Sequence, residues 1–305
     1  ILRENYLSGK EHKVQKLKNT IVDNMIKAHL TSKEVDFMLF ISRYQDMNGR
    51  VGGVHYKHMC SEMGMSYQEF YNAKKTLQEK GFIRCEKNNW MDNDITILGN
   101  TLNECQKEGY INTNHNIFYE KSFYKLKAGA KLLAMFLMKV TRAGEGHFEI
   151  YVKNFYDTEK ENGYPEKFGV SVRVLHSYLM SLKEFFSIWV KDRKYFISPK
   201  KILYRKTGET SEAERYRDYH IDVIARRLHL KEISKPARNE IQKYFIQYGK
   251  RITDAGRQIS DTIEKAIAES IHFLKEQKRE ISVNLNLKLI HSLLKISVLE
   301  MEKAI

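Results

Sequence analysis

Apolar residues recur at Val14, Leu17, Ile21 and Met25, the three-to-four-residue period of a helix over residues 11–29. Thr31 followed by Glu34 is a capping box, and it opens a second helix that is apolar almost throughout, from Val35 and Phe37 to Ile41. Such a helix is expected in a core. Asn48-Gly49 marks a turn, and Val51-Gly52-Gly53-Val54 is a short strand. His55 to Glu62 has the spacing of a short helix, and Met63-Gly64-Met65 is a tight turn. Ser66 then caps a helix with Glu69 as its reciprocal partner, and Gly81 stops that helix. Two strand-like runs follow, Phe82 to Glu86 and the alternating Ile95 to Leu98, joined through Asn88-Asn89.

The second half repeats this order. A helix over Leu126–Val140 is apolar at Leu132, Leu133, Phe136, Leu137 and Val140. Phe148–Val152 alternates like a strand, a helix starts near Lys153, and Gly163-Tyr164-Pro165 is expected to be a loop. Ser171 caps a helix running to about Lys183, and Ser187 to Val190, the polar turn Lys191–Lys194 and Tyr195 to Ile197 make a hairpin. The halves overlay without gaps through the capped helix, Ser66 on Ser171, Phe70 on Leu175, Leu77 on Leu182, Glu79 on Glu184 and Ile83 on Ile188. Leu30 falls on Leu126 if nine residues are inserted, most naturally around 157–165. Helix, tight turn, capped helix and hairpin form the order of a winged helix-turn-helix. The expected fold class is therefore mainly α with small β-hairpins (α+β): two tandem winged modules over 1–110 and 111–200, a linker over 201–213, and an all-helical domain over 214–305.

In that last domain, Ile259, Ile263, Ala266, Ile267, Ile271 and Leu274 form one face, and Leu285, Leu289, Leu293, Leu294 and Ile296 contribute to another. About four helices are expected, near 214–230, 236–248, 257–279 and 284–303, and a bundle of this kind suits a homodimer.

Composition narrows the partners. The chain of 305 residues carries 52 basic and 38 acidic groups, a net charge of +14. The excess is spread: +3 over residues 1–100, +5 over 101–200 and +6 over 201–305. A folded basic surface for a polyanion follows, rather than an appended arm. No apolar run approaches the roughly 20 residues of a membrane helix, so no membrane partner is expected. The opening Ile1-Leu2-Arg3-Glu4-Asn5 does not read as a secretory signal. Three scattered cysteines, Cys60, Cys85 and Cys105, fit a reducing cytoplasm.

The candidate surface is the capped helix of each module. With Phe70, Ala73 and Leu77 inward, the first presents Tyr67, Gln68, Tyr71, Asn72, Lys74 and Lys75 behind Ser66. Gln and Asn pair with adenine in bidentate fashion, while Lys and Tyr suit phosphates. In the second module Val172, Leu175, Leu179 and Leu182 are expected inward. Ser171, Arg173, His176 and Ser177 then remain on the outer side with Met180, and Arg173 is the best placed to read guanine. Lys191, Arg193 and Lys194 make a basic wing tip. The expected partner is double-stranded DNA.

Catalytic patterns are weak. His55 and His58 lack a second ligand cluster in sequence, and Lys206-Thr207-Gly208-Glu209-Thr210 lacks the spaced glycines and ending of a phosphate loop. No enzyme, metal or cofactor is expected. Phe123-Tyr124-Lys125-Leu126-Lys127-Ala128-Gly129-Ala130-Lys131-Leu132-Leu133 looks like the opening helix of a winged module. With its tandem arrangement, the stretch over about 30–198 resembles the winged-helix DNA-binding superfamily, in particular plasmid replication initiators and winged-helix transcription regulators. The resemblance implies sequence-specific DNA binding, as a transcription regulator first and a plasmid or phage replication initiator or primosome component second. A winged-helix protein-interaction module is the reading from a different class.

Overall fold

The first helix begins later than its apolar period implies. Lys16–Lys18 form a strand (β1), and α1 starts only at Asn19 and runs to Lys27. Leu17 and Ile111 are both buried and directly paired, because β1 runs antiparallel to a strand at Tyr110–Asn112. The Lys18 amide donates to Asn100 Oδ1 at 3.0 Å, which holds the backbone extended just before the helix. The Leu17 position satisfies either period, so only a partner distant in sequence decides between strand and helix.

The computed structural model describes residues 15–87, 92–102, 108–113, 116–141, 146–158, 163–200, 212–276 and 285–304. These are mostly helical, with small antiparallel sheets. The chain divides into two units, one within Val14–Glu209 and the other within Thr210–Ile305. The Asn88-Asn89 turn, Cys105, most of the expected linker and the stretch Lys206–Thr210 lie outside the described residues.

In the first unit, α2 (Ser32–Tyr44) carries the expected box, with Glu34 accepting the Thr31 amide at 2.7 Å. Every side chain from Glu34 to Tyr44 is buried, since α3, α4, a strand and a helix of the second half surround it. The Asn48-Gly49 turn leads into β2 (Arg50–Val54). Gly49 has φ +76° and a Cβ there would meet the Ile97 carbonyl oxygen at 3.0 Å, so the turn needs glycine. Next come α3 (Tyr56–Met63), α4 (Tyr67–Glu79), β3 (Ile83–Lys87) and β4 (Asn93–Ile97). The sheet order is β2-β4-β3, with Ile83 opposite Ile97.

After β5 (Tyr110–Asn112), a single 3-10 turn at Asn116–Tyr119 and α5 (Lys121–Tyr124) lead to α6 (Ala128–Val140). Then follow β6 (Phe148–Tyr151), α7 (Val152–Phe155), α8 (Tyr164–Lys167), α9 (Val172–Ser181) with a 3-10 turn at Leu182–Glu184, β7 (Phe186–Lys191) and β8 (Lys194–Pro199). The sheet order is β6-β8-β7 and Ile188 lies opposite Ile197. Each three-stranded sheet thus has its last strand in the middle.

The helices of the two halves agree in length. Both α2 and α6 have 13 residues, so Ser32 falls on Ala128 and Tyr44 on Val140. The 13 residues of α4 match the 10 of α9 plus the 3 of its closing turn, Tyr67 on Val172 and Glu79 on Glu184.

Three expectations need correcting. Gly163-Tyr164-Pro165 is not a loop: Gly163 caps α8 and Pro165 sits in its first turn, where proline has no amide to lose. The hairpin turn is tighter than Lys191–Lys194. Only Asp192 and Arg193 form it, both at positive φ (49° and 59°), and Lys191 pairs with Lys194 in the ladder. Val172 is 38% exposed: it is the first residue of α9, three before the buried Leu175, and its counterpart Tyr67 at the start of α4 is exposed as well.

The second unit holds α10 (Glu212–Arg227), α11 (Lys235–Asp254), α12 (Ile259–Glu276) and α13 (Leu287–Lys303). Ile224, Ile241, Tyr248, Ile263, Ile267 and Leu294 meet in its core. Ile296, expected on an inner face, is exposed: two residues from both Leu294 and Val298, it lies about half a turn around the helix from the stripe Ile290, Leu294, Val298 that is buried.

Candidate nucleic-acid interface

The side of α4 away from Phe70, Ala73 and Leu77 is polar and ordered by its own contacts. Ser66 is occupied as a cap: its Oγ accepts the Glu69 amide at 3.2 Å and its own amide donates to Glu69 Oε2 at 2.7 Å. That backbone bond holds the Glu69 carboxyl below its ordinary range. One turn on, Gln68 Nε2 donates to Asn72 Oδ1 at 2.8 Å, so the two exposed amides act as one unit facing outward. Tyr67 is 56% exposed and its ring lies 4.5 Å from that of the half-buried Tyr71. Lys74 Nζ lies 5.0 Å from the Tyr71 ring and donates to Asn93 Oδ1 at 3.3 Å, which ties the helix to the start of β4. Lys75 is exposed and stands 3.8 Å from Glu79.

On α9, Ser171 Oγ accepts the Val174 amide at 3.4 Å, without a reciprocal partner because Val174 stands where α4 has Glu69. Arg173 and Ser177 are exposed. His176 is exposed too, but its Nδ1 is 2.8 Å from Tyr156 Oη, which in turn is 3.1 Å from Tyr195 Oη. Burial raises the Tyr156 hydroxyl above its ordinary value, so it stays protonated at neutral pH. Val172 and Val174 make the outward side of α9 partly apolar. At the hairpin tip Lys191 and Arg193 are exposed, while Lys194 leans back, 3.6 Å from Glu149 and 5.0 Å from the Tyr151 ring.

No family model, curated protein or solved structure matches this chain.

The two halves are joined by buried charge. Lys131 Nζ of α6 meets Asp36 Oδ1 of α2 at 2.6 Å, with the side chains 0% and 1% exposed. Burial lowers the Lys131 ammonium and raises the Asp36 carboxyl, working against both charges. Lys139 and Lys167 reach Asp23 on α1 from the second half. Arg43, also buried, bonds Glu62 at 2.8 Å and Tyr124 Oη at 3.0 Å, donates to the Phe118 carbonyl, and lies 3.9 Å from the Tyr119 ring. It thereby clamps α2 to the connecting stretch. Gly129 lies against Tyr178 of α9, where an added Cβ would meet the ring at 2.2 Å.

Of these junction residues only Asp36 carries a signal in the sequence, as a carboxylate inside an apolar run. The outer face of the second sheet, where Tyr151 and Trp189 are exposed, carries none. His58 lies 3.6 Å from Glu62 and edge-on to Phe40, and among the described residues no group of three or more His, Cys, Asp or Glu is set to hold a metal. No described helix is long and apolar enough to cross a membrane.

Proposed function

We propose that this chain is a sequence-specific double-stranded-DNA-binding protein, a transcription regulator that uses two winged-helix modules. What carries the proposal is the repeated frame: a helix, a strand, a short helical stretch, a capped helix and a hairpin, twice over, each with its last strand central in the sheet. In a helix-turn-helix the second helix enters the major groove, where base edges are distinguishable. That role falls to α4 and α9. Gln68 and Asn72 suit adenine, Arg173 suits guanine, and Lys74, Lys75, Lys191 and Arg193 suit phosphates. The net charge of +14 supports a polyanionic partner. Ser66 and Ser171 act as caps that satisfy the first amides and fix where each helix begins.

The test is affinity for duplex DNA as a function of salt. Several phosphate contacts give a log–log slope of about −0.9 for each. Lys75→Ala is expected to weaken all sequences alike and reduce the slope by about one unit, whereas Gln68→Ala relaxes sequence preference. A flat salt response rejects the reading and leaves a protein-interaction module.

A replication initiator is the second reading. It is favoured by both modules sharing one unit, since a single chain then carries two readers and suits direct repeats rather than a palindrome. Sequencing the DNA that co-purifies with the chain separates promoters from repeats beside an AT-rich region. We further propose that the helical unit pairs two chains through its exposed apolar residues, among them Ile246, Phe273 and Ile296. Sedimentation of the full chain and of the Ile296→Glu variant tests this, since equal monomeric states reject it.

A further inference from the structure

The outer face of the second sheet carries aromatic rings where a solvent-facing sheet has no need of them. Pairing aligns Glu149, Phe196 and Trp189 in one row across β6, β8 and β7, and Tyr151, Lys194 and Lys191 in the next. The alternate residues Ile197 and Tyr195 are buried, so these rows point away from the core. Trp189 is 47% exposed and Tyr151 51% exposed, whereas tryptophan is on average a highly buried residue. The Trp189 and Phe196 rings lie nearly parallel, 8° apart with centroids at 5.8 Å, which fixes the indole against a second ring. Cations frame the rings: Lys191 and Arg193 are exposed at the tip, and Lys194 sits over Tyr151. Two carboxylates stand here: Glu149, 3.6 Å from Lys194 and 3.0 Å from His147, and Asp192 in the turn between Lys191 and Arg193, which leaves the three cations in excess.

We infer that this face binds single-stranded DNA, its unpaired bases stacking on Trp189 and Tyr151 and its phosphates passing Lys191 and Arg193. Rings beside cations are the chemistry of single-strand platforms, because every base has a π-face and the backbone is anionic. Paired bases in a duplex are stacked on each other and offer the rings nothing. An acidic peptide would use the cations but not the rings. The site shares the cations Lys191 and Arg193 with the duplex reading, but its rings lie across the sheet from the core that supports α9, so it goes beyond that reading and the rings distinguish the two.

The chain has two tryptophans, Trp90 and Trp189, so Trp90→Phe leaves Trp189 as the only indole. The full chain carrying that change is titrated with oligo(dT), with an abasic strand of the same length and with a duplex, following indole emission and strand anisotropy. We expect oligo(dT) to quench Trp189 saturably and the abasic strand to leave it bright. Trp189→Ala should raise the oligo(dT) dissociation constant by about tenfold or more and leave the duplex constant unchanged. Trp189→Phe, which keeps a ring, should retain most of the binding, and equal melting temperatures show that the variants are folded. The inference is overturned if the abasic strand binds and quenches as oligo(dT) does, or if Trp189→Ala weakens duplex and oligo(dT) alike. It is also overturned if that variant keeps its oligo(dT) affinity and instead loses self-association in sedimentation. Failure of duplex binding with oligo(dT) binding intact would remove the duplex reading alone.

Discussion

The two halves of the first unit close the same frame with different chemistry. In the first, Lys80 at the end of α4 bonds both oxygens of Glu34 on α2, at 2.8 and 3.0 Å. At the equivalent places the second half has Ala130 and Phe185, both buried. The surfaces diverge in the same sense. α4 is held by a reciprocal cap and shows amides, tyrosines and lysines, while α9 has a single cap bond and exposes two valines. Its aromatic and basic groups stand instead on the sheet. A shared backbone therefore fixes where elements go and leaves open which of them displays the polar groups.

The largest effect should come from breaking what the halves share. Lys131→Met leaves the Asp36 carboxylate buried without its partner and is expected to destabilise the unit by about 3–5 kcal/mol. Adding Asp36→Leu should recover most of the loss, since a well-packed apolar pair avoids desolvating two charges. Urea unfolding of the single and double variants measures both. If the single variant is neutral, the pair does not join the halves.

The caps come next. Ser66→Ala and Ser171→Ala are each expected to cost about 1 kcal/mol, with Ser66 the larger because its bond is shorter and belongs to a reciprocal box. Denaturant midpoints at unchanged slope decide it, and equal losses would remove the contrast between α4 and α9.

The smallest effect is a pH dependence confined to the first half. Burial pulls the Glu34 carboxyl upward, but hydrogen bonds from Lys80, Thr76 and the Thr31 backbone, together with the Lys80 charge, outweigh it and hold it below its ordinary value. A depressed carboxylate contributes stability above the unfolded value of about 4.3 and loses it as pH falls through the folded value. The melting temperature should therefore drop on acidification, and Glu34→Gln should make that acid limb shallower. Ala130 gives the second half no equivalent group.

Features fixed within a few residues were legible in the sequence: the boxes at Thr31 and Ser66, the stop at Gly81, and the core choices Phe70, Ala73 and Leu77. The matching of α4 to α9 was legible too, because caps and apolar positions recur at one spacing. β1 was not, since Leu17 takes its identity from Ile111, far along the chain. Val172 was misplaced because an apolar residue suggests an inward position, whereas it occupies the first position of its helix, as the exposed Tyr67 does in the other half. The Trp189 and Phe196 row was hidden as β1 was. Trp189 falls opposite Phe196 whether two or four residues form the turn, but the row is completed by β6, whose Glu149 pairs with Phe196 from far along the chain and is not announced by local spacing.

Gly129 carries a consequence for kinship. The Tyr178 ring occupies the space that a side chain at 129 would need, so the two positions form a pair in which 178 must yield before 129 can grow. Gly169 and His29 form a second, with a Cβ meeting the imidazole at 2.6 Å. Drifting descendants should keep Gly129 wherever they keep a ring at 178, and acquire a larger residue at 129 only together with a smaller one at 178. Such paired constraints outlast surface residues, and so give a signature for recognising distant cousins after overall similarity has faded.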